Sequence, residues 1–485
     1  MVNLDTYITI LALIIYLLFI MGALYAVISE KRDPLKAISW IVVIMGFPLV
    51  GFICYIIFGR NYRKQRIFNY KVKSDQKYFN YIIKRQLYKV NSNFIDSRKE
   101  VDSNKDIITL LLNNSKSPLT YKNNVSILNN GESAFFEIIE SLKAAKEYIH
   151  LEYYMFIDDE IGSKIIDILC RKSQKGVSVR LIYDDLGSWG FSNKSIKKLR
   201  NAGVEVVSFM PVIFPLLTSK INYRNHRKIV IVDGKIGFTG GMNVADKYIH
   251  GNKRMGKWHD IHLKIEGRAV TSLQLTFTKD WFFLTGEEIK NVNLFPSSIS
   301  KTGDTTMQIV TSGPDSHWAS IMQAFFKAIS QAKEQINIAT PYFSPSESIL
   351  TALKVAALGG IEVNVMIPSK NDSTIVYWAT RSYVAELLEA GVNVYIYRNG
   401  FNHSKLITID SEFSAIGSAN VDIRSFEYNF EVTAFMFDKA ITSELKNIFF
   451  DDIKQSKKLE YHSWKRRPKR DKTKEAICRI GSPLL

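Results

Sequence analysis

Cysteine is scarce in this chain of 485 residues: there are three, Cys54, Cys170 and Cys478, far apart and in no CxxC pair. That spacing excludes a disulfide framework and a thiolate zinc site, and it suits a reducing compartment. His259 and His262, in the run WHDIH, have no further clustered ligand, so they read as structural histidines and no metal or cofactor is expected. A glycine-rich nucleotide loop is also missing. Acidic residues are in deficit, 47 against 64 Lys and Arg, which leaves a formal charge of +17. An anionic partner follows, either nucleic acid or an acidic membrane surface. The residues before Tyr7 contain no Lys or Arg and no small-residue cleavage site precedes Glu30, which argues against a removable signal peptide.

What is present begins with two uncharged runs, Tyr7 to Ile28 and Ala37 to Gly59. Each is about 20 apolar residues, the length that crosses a hydrocarbon core as a helix, so residues 1–60 are expected to form a transmembrane helical hairpin, with Gly46, Pro48 and Gly51 leaving room for a kinked or shallow second insertion. Lys31, Arg32 and Lys36 lie in or beside its connection, whereas from Arg60 to Lys89 ten basic residues face one acid, Asp75. The heavier basic flank belongs in the cytoplasm and takes the rest of the chain with it. Residues 61–115 read as a basic linker, its first part interleaved with aromatics that suit a membrane surface or a solvated linker alike.

From residue 116 the pattern alternates strand and helix, and it does so twice. Gly176-Val177-Ser178-Val179 corresponds to Gly360-Ile361-Glu362-Val363, and Ala202-Gly203-Val204 to Ala390-Gly391-Val392. The expected fold class is therefore α/β, with two pseudo-symmetric domains at 116–300 and 301–485. The first domain carries an extra apolar stretch, Met210 to Leu217, which suits lipid contact or packed core equally. Lys454 to Lys474 forms a basic C-terminal stretch containing Trp464, read either as a headgroup-binding segment or as a solvated tail.

Each domain ends its repeat on the same motif. His226 to Asp233 (HRKIVIVD) and His403 to Asp410 (HSKLITID) share the spacing His-x-Lys-x4-Asp, and an Asn follows each His by 17 residues, Asn243 and Asn420, after Gly240-Gly241 or Gly417-Ser418. On a strand, residues two apart share a face, so His226 and Lys228 project together, as do His403 and Lys405. If the repeats pack with twofold pseudo-symmetry, two lysines and two amides surround an anion, which in a site without metal or nucleotide loop suggests a phosphate. Two imidazoles then supply a nucleophile and a proton donor.

These motifs resemble the signature of the phospholipase D superfamily, and both copies match it without departure. The resemblance implies two α/β halves with a shared site and a phosphohistidine intermediate. It implies His226 as nucleophile, His403 as general acid, and Lys228, Lys405, Asn243 and Asn420 as phosphate-holding groups. Asp260 and Glu431 resemble the downstream acids that orient the imidazoles. Asp233 and Asp410 complete the catalytic signature, and at the far ends of their strands they are expected to stabilise it rather than touch substrate.

Within the superfamily the chain resembles the bacterial cardiolipin synthases over nearly its whole length, through PLVGFICYIIFGRN, INYRNHRKI, TSGPD and the terminal SPLL. That resemblance implies a multi-pass enzyme of the bacterial cell membrane with cytoplasmic catalytic domains. It would join two phosphatidylglycerol molecules into cardiolipin and glycerol. A membrane phospholipase D hydrolase, or a phosphatidyltransferase with another acceptor alcohol, fits the same motifs. The membrane segments argue against a nuclease of the superfamily, so no nucleic-acid partner is expected. The sequence leaves the oligomeric state open.

Overall fold

The computed structural model describes residues 4–29, 34–55, 82–88, 99–211, 222–289, 293–296 and 303–482. They separate into two compact units, one holding the N-terminal helices and the other holding the described residues from Ile82 onward. Residues 61–81 and 89–98 of the expected basic linker lie outside the described residues, as do 212–217 of the apolar stretch after Met210 and the last three residues of SPLL.

The N-terminal unit consists of α1 (Leu4–Ser29), α2 (Pro34–Gly46) and α3 (Pro48–Cys54). Within α1, Tyr7–Ser29 is long and apolar enough to cross a membrane. The second apolar run differs from the uninterrupted span its composition suggests. Phe47, at φ −139° and ψ 75°, leaves the helical region, and Pro48 starts a new helix at its first position, where a missing N–H costs nothing. Among the described residues there is therefore one membrane-length helix rather than two.

The large unit is α/β. Its strands are β1 (Thr120–Leu128), β2 (Tyr148–Tyr153), β3 (Ser178–Asp184), β4 (Glu205–Phe209), β5 (Lys228–Val232), β6 (Ile236–Gly240), β7 (Trp258–His259) and β8 (His262–Glu266) in the first half. The second half holds β9 (Thr305–Ser312), β10 (Gln335–Ala339), β11 (Phe343–Ser344), β12 (Glu362–Pro368), β13 (Asn393–Tyr397), β14 (Phe401–Asn402), β15 (Leu406–Ile409), β16 (Phe413–Gly417), β17 (Val421–Asp422), β18 (Glu431–Phe437) and β19 (Ser456–Lys458).

Fifteen of these strands form one sheet in the order β19-β13-β12-β10-β15-β16-β18-β9-β1-β8-β6-β5-β2-β3-β4. Read outward from the central antiparallel pair β1 and β9, the two halves have the same sequence of roles. Strand β5, which carries the first motif, sits between β2 and β6, and β15, which carries the second, sits between β10 and β16. The motif strands are buried along their whole length, so they are apolar continuously rather than alternately, as strands covered on both faces are.

Two stretches read as linker or tail are folded. Lys105–Asn114 is a helix whose Ile107, Ile108, Leu111 and Leu112 are buried in the core of the second half, beside Phe325 and Ile329. That i, i+1, i+4, i+5 stripe is helical, and the flanking Asn, Ser and Asp residues masked it in the sequence. In the basic C-terminal stretch, Ser456–Lys458 joins the sheet edge against Tyr395–Tyr397. Trp464 is buried under the Arg467 guanidinium, 3.8 Å from the ring centroid. The stretch is therefore folded onto the second half rather than a free tail, with Lys457, Lys458, Lys465 and Arg466 exposed.

Candidate active site

The site is assembled where each half hands a segment of backbone to the other. In the first half, the turn before the first motif bridges to Phe430, with the His226 N–H donating to the Phe430 carbonyl at 2.9 Å. In the second, β14 pairs in parallel with β7, and the His403 N–H donates to the His259 carbonyl at 2.7 Å. Residues 430 and 259 immediately precede Glu431 and Asp260. Each carboxylate is thereby carried to the imidazole of the opposite half.

His226 Nδ1 lies 3.0 Å from Glu431 Oε1 and 3.1 Å from the Ser418 carbonyl oxygen. His403 Nδ1 lies 2.6 Å from Asp260 Oδ2. With Nδ1 of His226 occupied by acceptors, its proton belongs there and the Nε2 lone pair is free. Lys228 Nζ donates to the His226 carbonyl at 2.6 Å, and Lys405 Nζ donates to the His403 carbonyl at 2.5 Å and lies 3.2 Å from His403 Nε2. All four side chains are buried.

Burial disfavours every one of these cations. It pushes the His226 imidazolium down to about 4, opposed by Glu431 and reinforced by Lys228 and Lys405. His403 falls well below the usual histidine range through burial, then through Lys405 and Lys228. Burial also lowers Lys228 to about 7 and Lys405 to about 8. The acids diverge. Burial raises Asp260 to about 6, whereas for Glu431 the same burial is outweighed by His226 and Lys228, and it stays below the usual carboxylate range. A phosphodiester anion placed among these groups would favour their charged forms.

The small residues beside each Asn make these approaches possible. A Cβ on Gly241 would lie 2.1 Å from Asp260 Oδ1, and one on Gly240 or Gly417 would strike the Cα of His262 or Thr433 on the next strand, at 2.6 and 2.5 Å. At the position matching Gly241, the Ser418 hydroxyl instead donates to Glu431 Oε2. Asn243 Oδ1 accepts from the Met155 N–H at 3.1 Å and its Nδ2 donates to the Tyr248 hydroxyl at 2.6 Å. Asn420 is buried near the second motif.

Asp233 and Asp410 are not in the reacting group. Each sits at the far end of its motif strand with φ 52° and binds the start of a neighbouring strand. Asp233 accepts from the backbone N–H groups of Lys146, Glu147 and Tyr148 at 2.8 to 2.9 Å. Asp410 does the same for Lys333, Glu334 and Gln335 at 2.8 to 3.0 Å.

Sequence reading passed over several residues that the structure brings to the site. Asn225 and Asn402 precede the two histidines, and each uses Oδ1 to accept from the N–H two residues on, at 3.1 and 3.0 Å, bending the chain toward the partner half. The repeated dipeptide Asn-His was the available signal. Aromatic rings also line the imidazoles: Tyr154 at 4.9 Å from His226, and Trp258 at 5.3 Å and Phe401 at 5.7 Å from His403. His259 faces Asp452, with Nε2 to Oδ2 at 3.1 Å.

Two α/β halves with one His-Lys motif each, meeting through exchanged acids, define a phospholipase D-like protein. The family described as "Cardiolipin synthase, PLD-like domain" matches residues 138–281 and 325–453, and "Phospholipase_D-nuclease N-terminal" matches 10–60. The chain is 42% identical over 462 residues to a cardiolipin synthase of Geobacillus sp. (strain WCH70), covering 95% of this chain and 91% of that one. It is 40% identical over 482 residues to the major cardiolipin synthase ClsA of Bacillus subtilis (strain 168), covering 98% and 99%. The chain belongs to the cardiolipin synthase family. Its fold is also similar to the crystal structure of phosphatidylserine synthase from Haemophilus influenzae Rd KW20, with a TM-score of 0.60 at 14% identity, covering 80% of this chain and 100% of that one.

Proposed function

We propose that this protein makes cardiolipin by phosphatidyl transfer between two phosphatidylglycerol molecules, releasing glycerol. The observation that carries the reading is the exchanged pair of His–carboxylate contacts, His226 with Glu431 and His403 with Asp260, set among two buried lysines. His226 Nε2 attacks the phosphorus of the first lipid. The bond from phosphorus to the glycerol oxygen breaks, and His403 protonates the departing glycerol. His403 then takes the proton of a terminal glycerol hydroxyl on the second lipid, whose oxygen attacks phosphorus as the bond to His226 breaks.

The two acids favour this division of labour. Glu431 is held ionised by His226 and Lys228, which suits a histidine that becomes a cationic phosphohistidine. Asp260, raised toward 6, shares with His403 a proton exchangeable near neutrality, as an acid–base pair needs. Lys228, Lys405, Asn243 and Asn420 hold the phosphate, Lys405 exchanging its contact with the His403 ring for a phosphate oxygen. The aromatic wall around His403 limits water, so the lipid hydroxyl wins as acceptor.

The catalytic halves correspond to two duplicated domains, 116–300 and 301–485. Both N-terminal apolar runs lie in the bacterial cell membrane, with the catalytic halves on its cytoplasmic side beside anionic lipid. Purified protein given phosphatidylglycerol in mixed micelles should yield cardiolipin and glycerol. Phosphatidic acid accumulating without cardiolipin would assign hydrolysis instead.

A further inference from the structure

We propose that the second apolar run is a re-entrant hairpin, α2 entering one leaflet and α3 returning from it, so that α1 is the one helix that crosses. This rests on the membrane attachment proposed for the N-terminal runs and is independent of the reaction.

Close approach of the two short helices is the first ground. A Cβ on Gly51 would lie 2.7 Å from the Val43 carbonyl oxygen and 3.0 Å from the Ile44 Cα. Residues eight apart in a continuous helix are separated by about 12 Å, so the chain has folded back on itself. By Tyr55 it has returned to the level it left 15 residues earlier. The Tyr55 ring lies 5.5 Å from Trp40, and its hydroxyl donates to the Ala26 carbonyl at 3.1 Å.

Depth points the same way. The 13 residues of α2 rise about 20 Å, against a hydrocarbon thickness of about 30 Å. Among the described residues, the hairpin packs on the C-terminal part of α1, through Ala23, Ala26 and Val27 and Phe19 against Phe52. The described side chains from Tyr7 to Leu18 are exposed, whereas a second full span would lie along them. At the tip of the hairpin Met45, Phe47, Leu49 and Val50 are exposed apolar side chains, as a tip surrounded by hydrocarbon requires. The turn keeps part of its backbone paired, with the Phe47 N–H donating to Val43 O at 2.9 Å and the Gly51 N–H to Phe47 O at 2.6 Å, which lowers the cost of placing a turn in hydrocarbon.

Charge supplies an independent argument. Two full spans would put Lys31, Arg32 and Lys36 on the face opposite the ten basic residues of 60–89. The re-entrant path puts all of them on one face, and it leaves the residues before Tyr7, which include Asp5 and no Lys or Arg, on the other. The positive-inside preference favours the second arrangement.

The test is labelling of single cysteines in full-length protein, in spheroplasts, with a membrane-impermeant maleimide. Cys54, Cys170 and Cys478 are first replaced by Ser, and cysteine is introduced as Asp5→Cys, Asp33→Cys or Lys143→Cys. The expected result is labelling of Asp5→Cys in intact spheroplasts and of the other two only after lysis. Labelling of Asp33→Cys alone in intact cells means two full spans and overturns the proposal, as does any pattern that puts positions 5 and 33 on one face. Positions 33 and 143 both labelled outside, with 5 protected, would keep the hairpin and overturn the cytoplasmic placement.

Discussion

The two halves of the catalytic body share a strand order and a backbone exchange, and they differ in what surrounds each imidazole. Both motif strands end in an aspartate that gathers three backbone N–H groups. Both histidines take a carboxylate from the other half. Around His226, however, the acid is a glutamate braced by the Ser418 hydroxyl and held ionised, while around His403 it is an aspartate raised toward 6 by burial and walled by Trp258 and Phe401. Duplication supplies a symmetric scaffold. Two differences, Glu431 where the other half has Asp260 and Ser418 where it has Gly241, make the surroundings of the two imidazoles unlike, which suits the proposed division between nucleophile and proton donor.

The largest effect should come from breaking the comparison at its centre. His226→Ala and His403→Ala should each lower cardiolipin synthesis by at least about 1,000-fold while leaving vesicle binding intact. They should part with a substrate whose leaving group needs no proton, such as a phosphatidyl nitrophenol. Nitrophenol release should return in His403→Ala and stay absent in His226→Ala, and equal rescue of both would erase the distinction.

Next in size are the exchanged acids. Glu431→Gln and Asp260→Asn should each cost roughly 100-fold in kcat, by analogy with other supports of catalytic imidazoles. Only Asp260→Asn should remove an ionisation near pH 6 from the pH profile of kcat/KM, because Glu431 is already ionised there. A profile altered equally by both variants would mean that the acids are interchangeable.

The lysines bear on the shared phosphate site. Burial lowers Lys228 to about 7 and Lys405 to about 8, so both ammonium charges are present below pH 7 and are lost as pH rises through those values. KM for phosphatidylglycerol should therefore climb several-fold between pH 7 and 9, measured at constant ionic strength. A flat KM across that range would show that the free site keeps its charge.

The smallest difference is expected at the strand ends. Asp233→Ala and Asp410→Ala should each destabilise the protein by about 1 to 3 kcal/mol, by equal amounts in the two halves. The kcat of the folded fraction should stay within a few-fold of the parent. Thermal unfolding with activity on the same samples checks this, and a loss of kcat without loss of stability would move these aspartates back into the reacting group.

The repeat was legible in the sequence because its spacing is local. His, Lys, Asp and Asn recur along one two-stranded hairpin and the segment just after it, and the α/β pattern recurs around them. Which acid serves which histidine was not legible, since it depends on the bridge from β7 to β14 and from Asn225 to Phe430, contacts between residues more than 140 apart. Asp260 and Glu431 could be singled out only by resemblance. The helix Lys105–Asn114 was hidden by its polar flanks, whereas Gly46, Pro48 and Gly51 left room for the break at Phe47–Pro48 without deciding it, because an apolar composition looks the same whether a segment crosses or turns back.

The central claim is that the first half supplies the nucleophile and the second the proton, and trapping the covalent intermediate tests it most directly. Rapid acid-free quenching of enzyme with phosphatidylglycerol, followed by peptide mapping, should find the phosphatidyl group on the peptide containing His226. Finding it on the peptide containing His403 would contradict the account.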